Sequence, residues 1–268
     1  MFTKSIMILG TAGALAAITS LGCQRSDVTG SMPMSETDQW DVHDRERPNP
    51  PAVNPGAPGN QSGSGHAPSD AVVLFDGTNL SQWESQKDGE AKWKVGKGYF
   101  EVVPRTGGIR TKQGFGDCQL HIEWSSPDPA EGKDQDRGNS GIFLMGIYEV
   151  QVLDSYQSKT YADGQAAALY GQHPPLVNAS RPPGQWQSYD IIFRGPRFNI
   201  NGNVLHKAKA TVLHNGVLVQ ENAEFTGPTT HKRRPPYETH APKLPISLQD
   251  HSHPVRFRNI WVRELGSK

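Results

Sequence analysis

The residues best suited to chemistry stand at alternate positions of short apolar segments. Glu149 and Gln151 interleave with Val150 and Val152, and Asp154 follows at the end of the run. In an extended chain successive side chains point to opposite faces. Glu149 and Gln151 therefore share one face and the valines the other. Asn139 and Ser140 lie shortly upstream. Carboxyl, amide and hydroxyl groups on one surface can donate and accept several hydrogen bonds at once, which suits a sugar. A second set is Gln119, His121 and Glu123, opposite Cys118, Leu120, Ile122 and Trp124. A third is the run Gln249-Asp250-His251 after Ile246-Ser-Leu248, with Arg256 and Arg258 following. Carboxylates and imidazoles move protons. Glu149, His251 and Asp154 are accordingly the catalytic candidates. Glu123, His121, Asn139, Gln151, Gln249, Asp250 and Arg256 are the substrate-binding candidates. The plain alternative for each set is a solvated strand face, and for Asp250 a turn residue. The basic run His231-Lys-Arg-Arg234, in a Pro-rich loop, reads as solvated or as a rim that attracts anionic substrates. His251 and His253 could hold a metal, but a lone pair does not define a site. His-Glu-x-x-His, P-loop, Gly-x-Ser-x-Gly and EF-hand patterns are all missing from the sequence.

The elements that carry these residues have a period of two. Residues 117–124, 141–145, 147–153, 189–194 and 255–263 read as strands. Two more flank Asn215-Gly216, the strongest two-residue hairpin signal in the chain. No amphipathic helix longer than about two turns is legible, and residues 155–168 offer at most a short turn. With 28 Gly and 21 Pro in 268 residues, the chain exceeds the usual share of roughly 12%. Many short strands between Gly and Pro turns indicate an all-β sandwich or jelly roll of antiparallel sheets. A formal net charge of zero excludes a nucleic-acid binder, which needs an excess of Lys and Arg. Two cysteines exclude a disulfide-dense scaffold.

Residues 1–22 read as a signal peptide: Lys4, a mostly apolar run from Ile6 to Ile18, then Ser-Leu-Gly before Cys23. This ending resembles a bacterial lipoprotein signal, in which Cys23 is lipidated and becomes the mature N-terminus. Ser20 and Leu21 depart from the usual residue types of such signals. The sequence therefore predicts export and a lipid anchor in a bacterial cell envelope, periplasmic or surface-facing. Residues 23–70 are poor in aliphatics and rich in Pro, Gly, Ser, Asn and Asp, with seven acidic and three basic residues in 24–70. Such a composition buries no core and predicts a disordered tether. Residues 71–268 are one domain's worth of chain.

Several strings together resemble a known bacterial family. They are Leu74-Phe-Asp-Gly-Thr-Asn-Leu80 with Trp83, Phe115-Gly-Asp-Cys-Gln-Leu-His-Ile-Glu-Trp124, and Asn139-Ser-Gly-Ile-Phe-Leu144. Tyr148-Glu-Val-Gln-Val-Leu-Asp154, Tyr170-Gly-Gln172 and Pro182-Pro-Gly-Gln-Trp-Gln-Ser-Tyr-Asp190 follow. Val212-Leu-His-Asn-Gly-Val217 and Leu248-Gln-Asp-His251, with Val255-Arg-Phe-Arg-Asn-Ile260, complete the series. In this order they resemble the 3-keto-disaccharide hydrolase domain, over about 72–265. The resemblance implies a concanavalin-like jelly roll, an exported or lipid-anchored protein, and chemistry on a 3-keto-glycoside. Two stretches depart from the pattern: Asp250-His-Ser-His253, and the Pro- and base-rich loop 227–245.

On a 3-keto-glycoside the ketone acidifies the C2 proton. A base removes it, the C1 substituent leaves by β-elimination with help from an acid, and water adds back. Glu149 or His251 would be the base, and Asp154 or Asp250 the acid or a ligand to a divalent cation. Gln151, Asn139, Gln249 and Arg256 would hold hydroxyls or the keto oxygen. Two other readings remain at this stage: a carbohydrate-binding module without turnover, and an envelope adaptor domain.

Overall fold

The computed structural model describes residues 52, 54, 56–87 and 89–266. The expected signal peptide, Cys23 and the first half of the expected tether lie outside the described residues. Among the described residues fifteen strands follow one another: β1 Val72–Phe75, β2 Trp83–Ser85, β3 Lys94–Gly96, β4 Tyr99–Glu101, β5 Ile109–Phe115, β6 Cys118–Ser125, β7 Ser140–Leu144, β8 Tyr148–Val152, β9 Gln187–Arg194, β10 Arg197–Phe198, β11 Val204–His206, β12 Lys209–His214, β13 Val217–Glu224, β14 Leu244–Leu248 and β15 Arg256–Glu264. Among the described residues a single 3₁₀ turn, Ala162–Gly164, interrupts them.

The strands form two antiparallel sheets and a small ribbon. The larger sheet runs β13-β12-β9-β6-β15-β4-β3, with β1 also on β15. The smaller runs β2-β5-β14-β7-β8. β10 and β11 pair with each other. This is an all-β jelly-roll sandwich, and the alternation in the sequence decides which side chains fill it. From β6, Leu120, Ile122 and Trp124 enter the core; from β8, Tyr148, Val150 and Val152; from β15, Phe257, Ile260 and Val262. One end is aromatic, with Phe75 and Phe100 ring centroids 4.7 Å apart and Trp93 stacked on Phe257 at 6.0 Å. Burying each such ring is worth about 2–3 kcal/mol over leaving it exposed. Cys118 is a free thiol in this core. Burial pushes it up to about 12, so it stays protonated.

The hairpin at Asn215-Gly216 forms as its residue types require. Both turn residues have positive φ, 53° and 80°, the conformation of the type I′ turn that matches strand twist. β2, β3 and β4 were not legible in the sequence, because three residues are too few to display a period. On β15 one extra residue is inserted between the Arg258–Glu123 and Trp261–His121 pairs. Asn259 takes a positive φ of 46° there. This bulge turns both Asn259 and Trp261 onto the sheet's outer face.

The described part of the expected tether lies on the domain. Ala57 and His66 form a bridge. The Gln61 side chain donates to Trp186 O and accepts from Trp186 N, both at 2.8 Å. Arg258 donates to Asn60 O. A low-aliphatic segment can be held this way because backbone and amide hydrogen bonds need no apolar burial.

Candidate functional site

β8 is the edge strand of the smaller sheet, so one side of it has no strand neighbour. Two loops supply the missing backbone partners. Gln151 N donates to Ala168 O, Ala167 N to Gln151 O and Tyr170 N to Glu149 O, at 2.9–3.3 Å. Further up, Thr229 N donates to Ile147 O, and Glu149 N to Thr229 Oγ1, each at 3.0 Å. These loops close the edge against other chains. They also raise walls beside the outer face of the sheet. A cleft of about 320 Å³ results, lined by Asn139, Phe143, Glu149, Gln151, Tyr170, Thr229, Thr230, His231, Gln249 and His251. That volume lies at the small end of the range for ligand sites, roughly 300–1,000 Å³.

Glu149 is the singular group in this cleft. It is 5% exposed, and its carboxyl has no hydrogen-bond or ion-pair partner among the described residues. Burial pushes it up to about 8. A carboxyl so placed is a proton acceptor matched to near-neutral pH. Room for it comes from Gly141. A Cβ at that position would run into Glu149 Oε1 and lie 2.9 Å from Phe143 Cε2. Beside it, Gln151 donates to Gln135 Oε1 at 3.0 Å, while its own Oε1 is buried without a donor. An orphaned buried acceptor costs about 1–3 kcal/mol, and a sugar hydroxyl in the cleft would relieve that cost. Asn139 donates to Gln135 O. Gln249 is fixed through its backbone, with its amide N donating to Gly141 O at 3.0 Å and its carbonyl accepting from Ser140 Oγ at 2.7 Å. Its side chain stays available to the cleft. The Tyr170 hydroxyl links Tyr161 OH, at 2.8 Å, to His231 Nδ1, at 3.1 Å.

Five of the expected residues, Glu149, Gln151, Asn139, Gln249 and His251, thus converge. The other five do not. Asp154 is 3% exposed and is spent on Arg137 Nε, at 2.8 Å, and on the Tyr156 amide. It fastens the chain after β8 and is not placed to act as an acid. Asp250 accepts from the Gly107 and Ser252 amides, each at 2.9 Å, which is its plain reading as a turn residue. Arg256 pairs with Glu101 at 2.7 Å and lies over Tyr99. His121 and Glu123 sit on the outer face of the other sheet, across the core from Glu149.

There they form a cluster of their own. His121 Nδ1 meets Asp190 at 2.6 Å, and Glu123 meets Arg258 at 2.6 Å and Asn259 at 2.8 Å. Trp261 stacks on His121 and Arg258 lies over Trp186. Burial alone would lower His121, but hydrogen bonds to Asp190 and Glu123 outweigh it and raise it to about 9. Every charge in this cluster has a partner, and residues 58–61 of the N-terminal segment line the adjacent hollow.

Among the described residues no group of three or more His, Cys, Asp or Glu side chains could hold a metal ion. Asp154 and Asp250, either of which the sequence offered as acid or ligand, are committed to Arg137 and to backbone amides. Sequence reasoning missed Phe143, Tyr170, Thr229 and Thr230. Phe143 and Tyr170 had a signal, in the Asn139–Leu144 and Tyr170-Gly-Gln172 strings; Thr229 and Thr230 had none.

The chain's relatives mark it as a glycoside hydrolase-like protein, and a carboxyl buried and unpaired among the described residues, beside amides, a hydroxyl chain and imidazoles, suits that class. The chain belongs to the 3-keto-alpha-glucoside-1,2-lyase-like domain family, whose model matches residues 70–263. A crystal structure of a candidate glycosyl hydrolase from Parabacteroides distasonis ATCC 8503 is 45% identical, covering 87% of this chain and 100% of that one, with a TM-score of 0.79. A second candidate glycosyl hydrolase from that organism shares the fold at 19% identity and a TM-score of 0.54, covering 74% of this chain and 94% of that one. No curated protein matches the chain.

Proposed function

We propose that the protein cleaves 3-keto-glycosides by elimination, with Glu149 as the base. The observation that carries this reading is the Glu149 carboxyl, buried, without a partner, and shifted to about 8 in a sugar-sized cleft. Hydrolysis through an oxocarbenium ion needs a pair of carboxyl groups flanking the bond. The cleft has one. Elimination needs one base, one proton donor and hydrogen bonds to an enolate. Glu149 takes the C2 proton, and the electron pair delocalises onto the C3 oxygen. The C1–O bond then breaks as the enolate reforms the ketone, leaving a C1–C2 double bond. His251 or Tyr170 protonates the departing oxygen. Water adds at C1 and a proton returns to C2, so the net change is hydrolysis. The Gln249 amide donates to the keto oxygen, and the orphaned Gln151 Oε1 accepts from a ring hydroxyl.

The N-terminal pattern further supports an exported protein anchored through lipid on Cys23. Labelled fatty acid should enter the protein in its bacterial host and not the Cys23→Ala variant.

The reaction is tested on 3-keto-disaccharides and their unoxidised parents, following sugar release. Cleavage of the keto compounds alone, with exchange of the C2 hydrogen for solvent deuterium, is expected. Equal cleavage of both series would refute elimination. Saturable sugar binding without release would leave a carbohydrate-binding module.

A further inference from the structure

A second cavity of about 460 Å³ adjoins the Glu149 cleft, sharing Tyr170, Thr230 and His231 as lining. Its remaining walls are Tyr161, Asp163, Gly171 and the basic run Lys232-Arg-Arg234. The charge there is one-sided. Among the described residues none of Lys232, Arg233 and Arg234 forms an ion pair, and Asp163 is the one acid facing them. Unpaired cations around a hollow are costly to hold together and lower in energy with an anion between them.

The run is also held in place. Arg233 N donates to Thr230 O at 3.3 Å, closing a turn in which Lys232 has φ +56°. Arg234 Nε donates to Gly171 O at 3.0 Å. At its base, Gly227 passes so close to Pro235 that a Cβ there would collide with the Pro235 carbonyl. Thr229 is tied to β8 on either side of Tyr148, through Ile147 O and Glu149 N. The basic turn and the proposed base are thus fixed to one strand segment. Tyr161 and Tyr170 meet at 60° with centroids 6.3 Å apart, and offer apolar ring surface against which a pyranose can pack.

We infer that this cavity is the subsite for the sugar attached at C1, and that it selects an anionic unit bearing a carboxylate or a sulfate ester. Lys232 and Arg233 are the specificity-determining residues, while Arg234 serves mainly to anchor the turn. This inference rests on the reading of the Glu149 cleft as the reaction centre.

The test compares 3-keto-glucosides whose second unit is glucose, glucuronate or glucose 6-sulfate, using the full chain and its Lys232→Ala/Arg233→Ala variant. Both residues are exposed, so the variant should fold. The wild type should favour at least one charged substrate by about tenfold or more in kcat/KM, as charge-assisted contacts allow. That preference should shrink as salt shortens the Debye length from about 30 Å to below 8 Å. The double variant should lose it and handle the charged and neutral substrates alike. The uronate and sulfate arms tell which group is read. If the wild type cleaves none of the three, the catalytic reading fails and binding still decides the subsite. Free glucuronate and glucose 6-sulfate, each followed by saturation-transfer NMR against glucose, would then bind wild type and not the variant. Equal handling of charged and neutral sugars, in turnover or in binding, overturns the inference.

Discussion

Replacing Glu149 with Gln separates the two roles of this carboxyl: harm to stability and service to the reaction. Its ordinary value of 4.5 rises to about 8 on folding, from burial. Between those values the native protein binds the proton and the unfolded chain does not, so stability falls as pH rises. The contribution is whole below about 4.5 and is lost as pH passes through about 8. Each unit is worth about 1.36 kcal/mol. The cost of the carboxylate is therefore about 1 kcal/mol at pH 5, about 3 kcal/mol at pH 7 and close to 5 kcal/mol above pH 9. Gln carries no such cost at any pH. The amide's pairing differs from the acid's by an offset that does not change with pH. The stability gap, variant minus wild type, should therefore widen by roughly 4 kcal/mol from pH 5 to pH 9, or about 8–16 °C in Tm for a domain of this size. Urea denaturation of both proteins at pH 5, 7 and 9 measures it. Activity on keto substrates should fall at least about 100-fold in the same variant. Wild-type kcat/KM should rise about tenfold per pH unit below 8 and level above it. A gap that stays constant from pH 5 to 9 would refute the reasoning, because it would mean the carboxyl is solvated or paired in the native state.

Gly141→Ala should push the Glu149 carboxyl out of position, costing about 1–3 kcal/mol of stability and at least tenfold in kcat; normal turnover would show that the carboxyl has other room. Asp154→Asn should destabilise by roughly 2–4 kcal/mol through the stranded Arg137, while the folded fraction keeps its kcat, as thermal melts and initial rates would show. His251→Ala and Tyr170→Phe divide the proton-donor role: the true donor's loss should slow substrates with poor leaving groups about 100-fold and spare activated aryl leaving groups. Rates equally slowed for both leaving groups would remove that residue from the step. His121, raised from 6.5 to about 9 by its carboxylates, contributes stability that is whole below pH 6.5 and lost as pH rises through 9. The stability advantage of wild type over His121→Gln should shrink by roughly 3 kcal/mol between pH 6 and pH 10, with activity unaffected; a slope of the opposite sign in chemical denaturation would exclude a charged native His121.

What the sequence alone determined is what depends on neighbours along the chain. Alternation in residues 118–124 and 148–152 assigned Leu120, Ile122, Val150 and Val152 inward and His121, Glu123, Glu149 and Gln151 outward, since the period of two is a property of any extended segment. Asn215-Gly216 set its hairpin because only such residues tolerate two successive positive φ angles. The site was half legible for the same reason: the polar faces were visible, but not which sheet each belonged to. Only the tertiary structure decided that β6 lies between β9 and β15 while β8 edges the other sheet, so that His121 and Glu149 face opposite ways. It likewise decided that Asp154 and Asp250 are consumed by Arg137 and by backbone amides, pairings set by folds of the chain that the residues themselves do not announce. The state of Glu149 is the clearest case. Its raised proton affinity comes from walls contributed by residues 167–170 and 229–231 and from the space left by Gly141. Desolvation is a sum over groups brought together in space, and no local pattern encodes it.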